Sequence, residues 1–266
     1  MYQASLKREE YQCSRFLWLA LLEESGQLKR QVYLDTQQIP TIGLGFNLYR
    51  APVMEALLRQ LGLPETHIPS VRQGMLQHMN RSVISQFRDI DDIRANLNNQ
   101  LTALTEGRLT ELALPDDTAV KAMFDQLIVG YEAELDRRFE AVTWPHSRPH
   151  YDALHLPYSW ERLALVSLLY NSGLLLGPNL TRAVRSGDRE RAWYEIRYCS
   201  NGGRSRSQGI ANRRYIEAEL WRCHQSLNLQ LLTPAQRQRM QAYETAYPPQ
   251  EALNRYQSWY ATVQTS

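Results

Sequence analysis

The chain has 266 residues, with 30 Lys and Arg against 28 Asp and Glu, so its formal net charge is only +2. Hydrophobic residues make up 43% and charged residues 22%, which excludes a disordered or fibrous chain and leaves one large globular domain or two small ones. The balanced charge argues against a nucleic-acid binder, whose surface carries a strong basic excess.

The longest apolar run, Phe16 to Leu22, has seven residues. A membrane-spanning helix needs roughly 18–20, so no stable membrane insertion is expected. Glu9 and Glu10 precede the run, Glu23 and Glu24 follow it, and no small-residue cleavage site is visible, so it reads as a buried helix face and not as a signal peptide. Cys13, Cys199 and Cys223 form no CxxC, so neither a disulfide framework nor a zinc site is signalled.

In chain order, periodicity predicts helices over 11–24, 51–61, 71–87, 91–104, 117–139, 160–171, 178–186, 189–199, 208–224, 234–246 and 250–263. Gly26 and Gly187 fit C-terminal stops, Pro115-Asp116-Asp117 opens one helix, and Thr233-Pro234 supplies the N-cap and first residue of another. One island departs from the pattern. Residues 31–48 (QVYLDTQQIPTIGLGFNL) mix β-branched and aromatic residues with Pro40, Gly43 and Gly45, and read as a small antiparallel hairpin or meander.

Residues 144–158 carry three prolines with His146, His150 and His155 and read as an irregular connection; no ligand-like spacing supports a metal there, and no metal or cofactor is expected anywhere. The basic stretch 204–214, with Arg204, Arg206, Arg213 and Arg214, reads either as a contact for a phosphate or polymer or as a solvated loop entering a helix. Six tryptophans and fifteen tyrosines suit sugar stacking mildly, although core and interface packing explains most of them.

The first helix ends in Leu21-Leu22-Glu23-Glu24-Ser25-Gly26, placing two carboxylates where the helix dipole is negative. Acids are disfavoured there by about 0.3–1 kcal/mol each. That field, with burial beside Phe16 and Leu22, raises a carboxyl pKa, as a general acid near neutral pH requires. Asp35 follows Glu24 by eleven residues and Thr41 follows Asp35 by six. Spacing alone leaves two readings open, a glycosidase-like trio facing one cleft or surface acids flanking a hairpin.

At these residues the sequence resembles the active-site segment of the phage-type lysozymes, the muramidases of glycoside hydrolase family 24. Their pattern is Glu, then Tyr-x-Asp-(Thr/Ser), then Thr-Ile-Gly-x-Gly. Here it stands as Glu24, Tyr33-Leu34-Asp35-Thr36 and Thr41-Ile42-Gly43-Leu44-Gly45. Leu165 to Gly173 looks like the family's central helix, ending in an aromatic-amide pair, Tyr170-Asn171, and the 209–214 stretch (GIANRR) follows the family's order. Three departures stand out. The family usually separates the acid from the aspartate by nine residues, which keeps Glu23 as a second candidate; Gln38 stands where relatives often have a turn glycine, and Phe46 replaces a frequent histidine.

The resemblance implies an α+β, predominantly α, lysozyme-like fold with a small β-hairpin lobe and a larger helical lobe. A catalytic domain would span 1–224, with a helical insertion at 50–115, and a C-terminal helical extension at 225–266 would pack on it. It implies that Glu24 protonates the glycosidic oxygen, that Asp35 positions or activates a water, and that Thr41 helps hold it. The backbone around Gly43, Gly45, Phe46 and Asn47, together with Tyr170 and Asn171, would line the saccharide groove. The implied function is hydrolysis of the β-1,4 bond between N-acetylmuramic acid and N-acetylglucosamine in peptidoglycan, by a monomer. A wall-binding module without turnover and a lytic transglycosylase are the alternatives. The expected route is synthesis in the cytoplasm without a signal peptide and action in the periplasm, after holin release as an endolysin or after type VI delivery as an antibacterial effector. Partners of the expected kind are the glycan strand and an immunity protein or secretion carrier.

Overall fold

The computed structural model describes residues 6–140, 158–201, 206–222 and 227–265. His146, His150, His155, Arg204 and Cys223 lie outside the described residues. Helix accounts for 69% of the structure and strand for 6%, so the protein is α+β and mainly α. It divides into two compact units, residues 19–129 and residues 1–18 with 130–266. The helices α1 (Arg8–Glu24) and α6 (Asp117–Glu140) each contribute residues to both.

Residues 19–129 hold the sheet, whose strands β1 (Lys29–Leu34), β2 (Pro40–Gly43) and β3 (Phe46–Asn47) are antiparallel in the order β1-β2-β3. Tyr33 lies opposite Thr41, Leu34 opposite Pro40, Thr41 opposite Asn47 and Ile42 opposite Phe46, with an irregularity in β1 between Lys29 and Tyr33. The meander expected at 31–48 is therefore present, beginning two residues earlier. Gly26 ends α1 at φ +82°, and its N–H donates to the Ala20 carbonyl (3.0 Å) in the manner of a left-handed cap.

Helices α2 (Ala51–Gln60), α3 (Ile68–His78), α4 (Arg81–Ile84) and α5 (Ile90–Leu104) follow. The single helix expected over 71–87 is corrected to two. Asn80 breaks it, donating its amide to the Gln77 carbonyl (2.6 Å) and accepting from the Val83 N–H (3.1 Å), bonds that compete with a continuous helix. The four-helix segment packs through Met54, Leu57, Val71, Met75, Leu97 and Leu101, all at most 2% exposed. It then returns along the outer edge of β1. There Leu114 N–H donates to the Arg30 carbonyl (2.8 Å), Gln31 bridges Ala113, and Arg94 Nε donates to the Val32 carbonyl (2.7 Å), so this edge strand is covered.

In the other unit α7 (Trp160–Asn171) is the central helix, buried from Trp160 through Tyr170 and N-capped by the Ser159 side chain. Then come α8 (Pro178–Ser186), α9 (Arg189–Tyr194), α10 (Gln208–Arg222), α11 (Pro234–Ala246) and α12 (Gln250–Thr265). The helix expected over 189–199 passes at Glu195 into a π-helical turn, Glu195–Cys199. Gly187 caps α8 at φ 65°, and Thr233 with Gln236 forms a reciprocal capping box on α11. Helix α10 packs on both α7 and α12. The aromatic residues are largely consumed here: Trp18 stacks on Tyr256 (5.6 Å) and meets Trp160 and Trp259 edge-on, tying α12 into the core. Among the described residues no helix is long and apolar enough to cross a membrane.

Candidate active site

Glu24 closes α1, and its carboxylate accepts a hydrogen bond from the Tyr33 hydroxyl on β1. Partial burial raises the Glu24 pKa above the usual carboxylate value. The Tyr33 hydroxyl and Lys29 pull it back down, and Glu23 pushes it further up. Burial, then the hydrogen bond to Glu24 and the fields of Glu24, Glu23 and Asp35, raise the pKa of the Tyr33 phenol in turn. Three carboxylates are thus grouped electrostatically about one phenol.

Asp35 stands directly after β1, partly buried. Its Oδ1 accepts from the N–H groups of Gln37 (2.8 Å) and Ile39 (2.9 Å), which fixes the turn into β2. Oδ2 makes no hydrogen bond among the described residues. Thr41, 2% exposed, donates its hydroxyl to the Ile39 carbonyl (2.9 Å), so toward a water it can act only as an acceptor. Both residues expected to manage a water are therefore held by the same turn, through Ile39. The residue at the tip, Gln38, adopts φ 59°, a left-handed conformation that favours glycine.

The glycines of this segment are needed for approach as well as for dihedral angle. A Cβ on Gly43 (φ +68°) would stand 2.7 Å from the Phe46 ring. One on Gly45 (φ +75°) would stand 3.2 Å from Glu23 Oε2, so the Glu23 carboxylate rests against the backbone of the β2–β3 turn while Glu24 faces Tyr33. Phe46 is buried at 3%, packed over Gly43, and only its backbone can serve a ligand.

No family model and no curated protein matches the chain. Among the described residues no group of three His, Cys, Asp or Glu side chains could hold a metal ion.

Tyr170 and Asn171, the other two residues expected to line a groove, belong to the other compact unit. Tyr170 is 9% exposed and packs on Tyr131, with ring centroids 5.0 Å apart. Asn171 is exposed, and its Oδ1 accepts from Arg214 Nη2 (2.7 Å), leaving its Nδ2 as the group it can present. The helix start expected in the basic stretch is present at Gln208, but Arg213 and Arg214 are not solvated. Both lie on α10, and Arg214 is 0% exposed. Glu217, also 0% exposed, accepts from Arg213 Nε (3.0 Å), from Arg214 and from the Ser167 hydroxyl (2.6 Å). This buried network sets the orientation of Asn171. Spacing carried its signal, since Arg213 and Arg214 precede Glu217 by four and three residues, the intervals at which helical side chains meet.

Proposed function

We propose that this protein is a peptidoglycan muramidase in which Glu24 is the general acid and Asp35 positions the attacking water. The observation that carries the proposal is the environment of Glu24. It is an acid at the negative end of a helix, pushed by burial toward its protonated form and steadied by a phenol from the adjacent sheet. Such a group gives up its proton when charge builds on a leaving glycosidic oxygen. Asp35 supports the same chemistry, because one oxygen is anchored in the turn and the other is left for a water.

In the proposed sequence the sugar binds with the bond to be broken beside Glu24. Glu24 transfers its proton to the leaving oxygen as oxocarbenium character develops. A water held by Asp35 Oδ2, and accepted by the Thr41 hydroxyl oxygen, attacks the anomeric carbon, with Asp35 taking its proton. Inversion by this route requires the carboxyl groups to stand roughly 6.5–9.5 Å apart when the substrate is bound. Action in the periplasm, reached through a holin or a type VI machine, belongs to the same proposal.

The test is purified protein on isolated sacculi, wild type against Glu23→Gln, Glu24→Gln and Asp35→Asn. New reducing ends that disappear in Glu24→Gln and Asp35→Asn are expected. Full activity in Glu24→Gln with loss in Glu23→Gln moves the acid one residue back. Release of 1,6-anhydro products replaces hydrolysis by transglycosylation, and binding to sacculi without any product makes the protein a wall-binding module.

A further inference from the structure

Within the unit of residues 1–18 and 130–266, a cavity of about 720 Å³ opens between the start of α8, the π-helical turn after α9, and α11. Its size falls in the roughly 300–1,000 Å³ range of ligand sites. It contains none of the residues assigned above to catalysis or to the saccharide groove.

Its polar groups are unevenly matched. The one carboxylate, Glu195, is 5% exposed and already neutralised, accepting from Arg191 Nε (2.7 Å) and from the Cys199 thiol. The α11 side carries two donors on one helical face, Gln236 and Arg239, three residues apart. Gln236 gives its Oε1 to the capping box, and its Nε2 is buried without a hydrogen-bond partner. The Arg239 guanidinium makes no hydrogen bond or ion pair among the described residues. Buried as it is, Gln236 Nε2 is closed to a ligand, whereas the Arg239 guanidinium is exposed and lacks only an acceptor. The facing wall is apolar: Leu174, Leu175, Pro178 and Leu180 line it, and Leu174 stands 91% exposed at the rim.

We propose that this cavity binds a peptide segment of a partner protein that presents one carboxylate beside a leucine-sized apolar side chain. The carboxylate meets the exposed Arg239 guanidinium at the α11 side, and the apolar side chain covers Leu174 and packs toward Leu180. A murein stem peptide offers the carboxylate, but its alanine methyl groups leave the leucine wall uncovered. A bare glycan offers the lactyl carboxylate of N-acetylmuramic acid but no leucine-sized apolar group. The inference stands apart from the muramidase proposal, because it uses none of the same residues.

The test selects a random heptapeptide display library on the full chain, with counter-selection on full-length Arg239→Glu, an exposed substitution whose folding is checked by its thermal midpoint. Enriched peptides are expected to pair Asp or Glu with a neighbouring Leu, Ile or Phe. The best of them, made synthetically, is expected to lose about tenfold or more in affinity against Arg239→Glu, against Leu174→Asp, and when its acid is replaced by Lys. Activity on sacculi is expected to be the same in wild type and Arg239→Glu. No enrichment over the counter-selection, enrichment without an acid, or undiminished binding of the Lys peptide overturns the proposal. Displacement of the peptide by an equal concentration of soluble stem tetrapeptide overturns the assigned occupant in favour of the wall.

Discussion

Replacing Tyr33 by Phe removes one oxygen and keeps the ring, so it isolates the hydrogen bond to Glu24 from the packing of β1. Burial is the largest influence on the Glu24 carboxyl group and the Tyr33 hydroxyl the largest opposing it. A hydrogen bond to a charged group is worth about 1.5–3 kcal/mol, and partial exposure puts this one near the lower figure. Without it the Glu24 protonation equilibrium shifts toward the acid form. In the proposed role as general acid Glu24 works protonated, so the alkaline limb of kcat/KM against pH is expected to move upward in Tyr33→Phe. Stability carries the same sign. A carboxyl whose folded pKa lies above its unfolded value contributes stability that is complete below the unfolded pKa and is lost as pH rises through the folded one. Without the phenol the ionised form is worse off, so the destabilisation of Tyr33→Phe is expected to be larger at pH 8 than at pH 4. Reducing-end release from sacculi across pH gives the limb, and urea midpoints at the two pH values give the stability. An alkaline limb that stays fixed or moves down, with equal destabilisation at both pH values, refutes the assignment of Tyr33 as the donor that tunes the acid.

Three further outcomes are expected. Gln38→Gly relieves a left-handed residue at an exposed turn and should stabilise by about 0.5–1 kcal/mol in urea, with activity retained; a lower midpoint refutes it. Gly43→Ala imposes a Cβ on the Phe46 ring at φ +68°, and should cost about 2 kcal/mol or more by the same measurement, whereas Gly62→Ala, with nothing within 4 Å, pays only for its dihedral angle. Glu217→Leu takes away the carboxylate shared by Arg213 and Arg214, and should cost about 3–5 kcal/mol in thermal or urea unfolding, far more than Arg206→Leu at the exposed start of the same segment.

Most helix boundaries could be read where a local signal sets them. Residues 160–171, 178–186 and 234–246 end where expected, because Gly187 can take a left-handed angle and Thr233 can cap the helix it precedes. The break at Asn80 and the π-helical turn at Glu195 were not legible from apolar periodicity, which continues across both. The glycines and the Asp35 turn showed themselves in the island's composition. The Tyr33 donor did not, although its place at the end of the strand, two residues before Asp35, was the available signal. Arg213 and Arg214 misled for a general reason. Charge reads as solvated unless its burial partner is recognised, and here that partner lies on the same helix.

The covered edge of β1 has a consequence for how the protein is made. The acid, the phenol and the aspartate leave the ribosome within a dozen residues of one another, yet the strand joining them is completed by chain synthesised much later. Arg94 reaches Val32 across 62 positions, and Arg30 donates to the Pro115 carbonyl (3.3 Å) across 85. Until those residues emerge, the nascent sheet offers an open flank to any neighbouring strand, and contacts of such long range form slowly. The outer edge of β1 is therefore expected to close only after Arg94, and then Ala113 to Pro115, have been made.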